Sequence, residues 1–152
     1  MRPELAVLPL LGLTWAVSAA SSCTYPASTA ALGGPLTVDD YATIASAERH
    51  WCEASDGRCC PAAIGLAYQA VDPEACRVIG VDGACGGFYS SRERLVSLVV
   101  ARLHERRLFF AVVLHEQGHA CGLDHSDDLQ SLMYPITTSH SHIAPSDLEA
   151  LP

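Results

Sequence analysis

A chain of 152 residues, 49% hydrophobic and 17% charged, can fill one core but not two, and it is too apolar to be intrinsically disordered. Its formal net charge of −8, with every cation an arginine, offers no basic face to phosphates and argues against a nucleic-acid partner.

Residues 1–22 stand apart. Arg2 is followed by an apolar run from Leu5 to Val17, broken only at Pro9, Gly12 and Thr14, and then by small residues from Ser18 to Ser22. That is the layout of an export signal, too short to span a bilayer comfortably, so these residues are left out of the fold. Cleavage after Ala19, Ala20 or Ser22 suits the pattern. The last choice makes Cys23 the new N-terminus, and Ala20-Ser21-Ser22-Cys23 resembles a bacterial lipobox, except that Leu is usual where Ala20 stands. The expected location is therefore outside the cytoplasm, secreted or lipid-anchored through Cys23 at the cell surface or in the periplasm. Seven cysteines agree with export. With Cys23 acylated, Cys52, Cys59, Cys60, Cys76, Cys85 and Cys121 remain for three disulfides, and about fifteen connectivities are open. Adjacent Cys59 and Cys60 should take different partners. A second zinc on Cys59, Cys60, Cys76 and Cys85 lacks the usual ligand-pair spacing.

Residues 23–36 are small, polar and turn-prone, a tether. Residues 37–152 form the folded domain. Thr37 opens a helix with Asp40 three places on, an approximate capping box. Val38, Tyr41, Ile44, Glu48 and Trp51 follow at helical steps, which predicts a Tyr/Ile/Trp stripe against the core. Asp56 to Pro61 reads as a turn. Ile64, Leu66, Tyr68 and Ala70 alternate with smaller residues, as in a half-buried strand, and Arg77 to Val81 reads as a second strand. Asp82 to Gly87 is a glycine-rich loop, and Leu95 to Leu103 reads as a central strand. A helix from Glu105 to Cys121 places Leu108, Ala111, Val112, His115 and His119 on one face, with Gly122 where a left-handed C′ residue belongs. A last short helix spans residues 144–151, with Pro145 in its first turn.

The informative stretch is His115-Glu116-Gln117-Gly118-His119-Ala120-Cys121-Gly122-Leu123-Asp124-His125. Four residues apart on a helix, His115 and His119 differ by about 40° in azimuth and about 6 Å in rise, so both imidazoles can reach one ion. Glu116 falls beside that ion, where a base for activated water is needed. Gly122 lets the chain leave the helix and bring His125 back as a third ligand. Three protein ligands leave a fourth position open, the mark of a catalytic rather than a structural zinc. Cys121 lies about 200° round from His119, which suits a disulfide or core role rather than a ligand. His50, His104, His140 and His142 read as surface or helix-end residues.

This stretch matches HExxHxxGxxH, the signature of the metzincin zinc peptidases, and Ser126 after the third His resembles the matrixin branch. Ser131-Leu132-Met133-Tyr134-Pro135 is similar to the matrixin Met-turn. The resemblance implies an α+β zincin catalytic domain: a small twisted mixed sheet, a long helix, an active-site helix and a short C-terminal helix. It implies one catalytic zinc on His115, His119 and His125, Glu116 as general base, Met133 beneath the metal, and Tyr134 and Pro135 lining the S1′ side of the cleft. The implied activity is endopeptidase hydrolysis of protein or peptide substrates by a monomer. There are departures. No prodomain or cysteine switch fits between Cys23 and Thr37, and the Asp82 to Gly87 loop carries no His, so neither structural zinc nor a calcium site is expected. The rival reading is a non-catalytic, zinc-holding surface lipoprotein that binds peptides or proteins, suggested by the brevity of the last helix. A third, a metal-free disulfide-stapled domain, leaves the His/Glu/Gly spacing unexplained.

Overall fold

Thr37 and Asp40 start the first helix by reciprocal capping. The Asp40 amide donates to Thr37 Oγ1 at 3.2 Å, and the Thr37 amide donates to Asp40 Oδ2 at 2.8 Å, satisfying donors that a helix N-terminus leaves unpaired. The computed structural model describes residues 35–78, 85–139 and 141–152; the expected export signal, Cys23 and most of the tether lie outside them. In chain order come α1 (Val38–Ala54), a single turn α2 (Pro61–Ile64), β1 (Ala67–Ala70), α3 (Glu74–Val78), β2 (Gly87–Ser90), β3 (Leu95–Leu98), a 3-10 turn (Val100–Arg102), α4 (Arg106–Ala120) and α5 (Pro145–Glu149). The class is α+β, as expected.

The sheet has the order β1-β3-β2. β1 runs parallel to β3, with Ala67 opposite Leu95, and β2 runs antiparallel to it, with Gly87 opposite Leu98. Gly87 is required there, because a Cβ would stand 2.8 Å from the Ser97 carbonyl oxygen. Helices α1 and α4 pack together and close one core around Trp51, Val96, Leu98, Phe109, Val113, Leu114 and Met133. Trp51 is fully buried and its Nε1–H donates to the Leu114 carbonyl at 2.8 Å. That bond sets α4 against α1 at the residue before His115. At the other end of the pair, Arg106 Nη1 donates to Asp40 Oδ1 at 2.9 Å.

Several local expectations change. The buried face of α1 is Asp40, Ile44, Ala47 and Trp51, whereas Val38 and Tyr41 are exposed. Arg106 and the Thr37 cap satisfy Asp40 well enough to turn it inward, so the stripe keeps Ile44 and Trp51 as expected and has Asp40 in place of Tyr41. The strand expected from Ile64 begins only at Ala67, because residues 61–64 turn helically and Gly65 is left-handed at φ 72°. Arg77 and Val78 end α3 rather than starting a strand; residues 79–84 lie outside the described set. The long central strand stops at Leu98 and gives way to the 3-10 turn. β2 was not anticipated.

Six cysteines form three disulfides: Cys52–Cys60, Cys59–Cys121 and Cys76–Cys85. Cys59 and Cys60 do take different partners, and Cys121 is cross-linked. The same bonds rule out a zinc on Cys59, Cys60, Cys76 and Cys85, whose sulfurs are all consumed.

Candidate metal centre

Helix α4 is apolar through Phe109 to Leu114 and carries its polar chemistry in its last turns. Its C-cap is Cys121, whose amide returns to the Gln117 and Gly118 carbonyls at 3.0 and 3.1 Å. Gly122 follows at φ 91°, a conformation glycine adopts at little cost. The Leu123 amide then closes the reversal on the Gly118 carbonyl at 3.0 Å, and two residues later the chain presents His125.

The three imidazoles meet. His125 Nε2 lies 3.3 Å from His115 Nε2 and 3.2 Å from His119 Nε2. Tetrahedral zinc with Zn–N bonds of about 2.0–2.1 Å separates its ligand nitrogens by about 3.3–3.4 Å, so the spacing fits that ion. Among the described residues this is the one cluster of His, Cys, Asp or Glu side chains able to hold a metal. Glu116 lies outside the cluster and shares its cleft.

The protonation states also fit. His115 Nδ1 lies 2.8 Å from the Leu132 carbonyl and His119 Nδ1 lies 2.7 Å from the Leu123 carbonyl. A carbonyl can only accept, so each Nδ1 carries the proton and each Nε2 keeps its lone pair for a metal. Burial pushes the His115 pKa down to about 4, and the neighbouring imidazoles add to this against the pull of the Leu132 bond. Burial lowers His119 too. Both rings are neutral at pH 7. Glu116 moves the other way: burial raises its pKa to about 8, opposed by a hydrogen bond from the Tyr89 amide of β2.

The support beneath runs through one peptide. Residues 131–134 form a turn whose Leu132 carbonyl orients His115, while the Leu132 amide donates to Asp147 Oδ2 at 2.9 Å. Asp147, buried on α5, also accepts from the Ser131 hydroxyl and from the Ala144 amide at 2.8 Å. Met133 is buried in the same turn, and its carbonyl accepts from the Ser126 amide at 2.9 Å, fixing the segment that bears His125. Met133 Sδ packs on Gly118, where a Cβ would overlap it. The roles of Asp147, Gly118 and Trp51 were not read from the sequence. The Gly118 position had a signal, since an interior helical glycine is costly without a packing reason.

The cleft has a volume of about 890 Å³. One wall is Gly86 with Phe88 and Tyr89 of β2, and the floor is α4, with Leu108, Val112 and Glu116. Pro135, Ile136 and Thr137 form the other wall. Pro135 borders the cleft, and Tyr134 beside it is half-buried. His50, His104 and His142 are exposed; His140 lies outside the described residues.

The model of the matrixin peptidase family matches residues 15–151. That match reaches well upstream of the motif at His115. No solved structure matches the chain.

Proposed function

Since this chain belongs to the matrixin family, a family of metallopeptidases, we propose that it is a zinc-dependent endopeptidase with His115, His119 and His125 as ligands of one catalytic ion and Glu116 as general base. The observation that carries the reading is the meeting of three Nε2 atoms at zinc-like spacing, each lone pair on His115 and His119 freed by a hydrogen bond on the far side of its ring. When bound, zinc supplies a Lewis acid that acidifies water and polarises a carbonyl. Glu116, in the same cleft, would ionise once the charge of a bound cation offsets the burial that holds its pKa near 8, and it then accepts the proton of the attacking water and delivers it to the leaving amine. The Tyr89 amide holds the carboxylate from the sheet side. β2 pairs with β3 on one edge while its residues border the cleft, so an extended peptide can lie along it. The apolar floor at Leu108 and Val112 suits an apolar side chain beside the metal, with Pro135 on the opposite wall. Met133 acts by packing under the site, not by ligation.

The binder alternative drew on the brevity of the last helix. α5 contributes no residue to the cleft lining, so its shortness leaves the walls whole. Three disulfides favour an oxidising compartment, in line with export of residues 23–152 after loss of the signal, either free or tethered by a lipid on Cys23. Glu116→Gln tests the central claim: the variant should retain zinc stoichiometrically and lose nearly all hydrolysis of a fluorescent casein. Retained hydrolysis would refute the base, and chelator-insensitive hydrolysis by the unaltered chain would refute the metal mechanism.

A further inference from the structure

Resting on the reading of the three histidines as zinc ligands, we infer that the Cys59–Cys121 disulfide is a positioning element of the metal centre: it holds the reversal between His119 and His125, and zinc retention depends on it.

The segment to be held is short and unusual. Five residues separate His119 from His125, and within them the helix ends, Cys121 caps it, Gly122 turns left-handed and Leu123 folds back on Gly118. The last turn of a helix is its most easily frayed part, because its carbonyls lack successors. Here fraying would move both the carbonyl that orients His119, at Leu123, and the origin of the His125 arm. Cys121 stands at the centre of this turn and is its covalent tie to another element.

The other end of the tie is anchored. Cys59 is 1% exposed. Its amide donates to Ser55 Oγ at 2.9 Å, and the Ser55 hydroxyl donates back to the Cys59 carbonyl at 3.2 Å. Ser55 is itself the C-cap of α1, and neighbouring Cys60 is bonded to Cys52 within α1. Two disulfides in tandem therefore join the body of α1 to the point where α4 reverses. Cys76–Cys85 belongs to a separate small cluster with Val99 and joins neither ligand-bearing segment, which makes it an internal control.

Removing the Cys59–Cys121 bond leaves the imidazoles in place but unfixes the arm of the third, so metal binding must itself order the reversal. Loss of an outer partner of this kind typically weakens a metal by about 10–100-fold. The experiment measures zinc affinity by competition with a chromophoric chelator for the full chain, for Cys59→Ser/Cys121→Ser and for Cys76→Ser/Cys85→Ser, at a temperature where circular dichroism shows all three folded. The first pair should weaken zinc by about 10–100-fold while the second changes it by less than about threefold. Equal affinities in the two variants overturn the inference.

A second measurement needs no variant. Zinc that orders the reversal also lowers the population of the opened turn through which a buried disulfide is reached, so a bridge held by that turn must be protected by zinc. A water-soluble phosphine opens a disulfide by giving two electrons to the S–S bond. Both sulfurs leave as thiols with protons from water, whose oxygen ends on the phosphine oxide. Alkylation and peptide mass report each bond separately. Zinc should slow opening of Cys59–Cys121 at least about tenfold more than that of Cys76–Cys85; equal protection overturns the inference. A chain that takes up no zinc removes the ligand assignment and this inference together, whereas zinc uptake indifferent to the pair removes this inference alone.

Discussion

Alanine in place of Gly118 should destabilise the protein, although the same change on an open helix face stabilises it. Interior helical Gly→Ala gains about 0.5–1 kcal/mol from backbone entropy and propensity. Against that gain, the new Cβ would overlap Met133 Sδ and stand 3.2 Å from both Met133 Cε and Trp51 Cζ2. Methionine adapts readily, but Met133 is 1% exposed and Trp51 is 0% exposed, with its indole N–H fixed on Leu114. Met133 borders a second cavity of about 330 Å³, so it can yield only by turning out of the core and giving up its packing, while Trp51 is held by its bond to Leu114. Overpacking of such a core costs about 1–3 kcal/mol, so the balance is a loss of up to about 2.5 kcal/mol. Urea unfolding followed by tryptophan fluorescence measures it, with an unchanged slope showing that the denatured state is unaltered. In a Met133→Ala background the overlap is gone, and Gly118→Ala should become neutral or stabilising, a coupling of about 0.5–3 kcal/mol. A single variant more stable than the parent would refute the packing argument.

Asp147→Asn should cost about 2–3 kcal/mol, because a charged acceptor of three hydrogen bonds is replaced by a neutral group that brings its own donors; it should also weaken zinc, measured by chelator competition. Asp40 sets an acid limit. Burial works to raise its pKa, but hydrogen bonds from Thr37 and Arg106 outweigh burial and hold it below its ordinary 3.8. A carboxylate depressed on folding contributes stability above its unfolded pKa and loses it as the pH falls through the folded value, so that contribution should fade below pH 3.8 and be absent from Asp40→Asn in melts across acid pH. Among the disulfides, Cys59–Cys121 closes a loop of 62 residues and Cys76–Cys85 one of 9. Loop entropy assigns them about 4 and about 2.6 kcal/mol, an order that denaturation of the paired serine variants will show or contradict.

The metal cluster was legible because its geometry is local. His115 and His119 share a helix face by periodicity, and Gly122 signals the reversal that returns His125. The helices were legible where a cap or a stripe marked them, as at Thr37 and Gly122. What stayed hidden depends on distant partners. Asp40 is polar and exposed by every local rule, yet it is buried because Arg106 reaches it across 66 positions. β2 is four residues long and begins at a glycine, and its pairing with β3 has no local signature. Asp147 caps its own short helix through the Ala144 amide, but its other two partners, the Ser131 hydroxyl and the Leu132 amide, lie in a turn at least 15 residues away that no local pattern announces. Glu74 had a readable cue, since its amide bonds to Asp72 Oδ1 at 2.8 Å, but the β-branched residues after it favoured a strand.

Neither imidazole with a fixed tautomer leans on a replaceable side chain: His115 and His119 are both steered by main-chain oxygens, at Leu132 and Leu123. Point substitution at either leucine changes the bulk around the acceptor and leaves the acceptor itself in place. The centre is thus insulated from drift at the residues nearest to it. Its weak points are those that dictate the path of the chain: the acid that grips the 132 peptide, the glycine that allows the turn and the sulfur bridge across it.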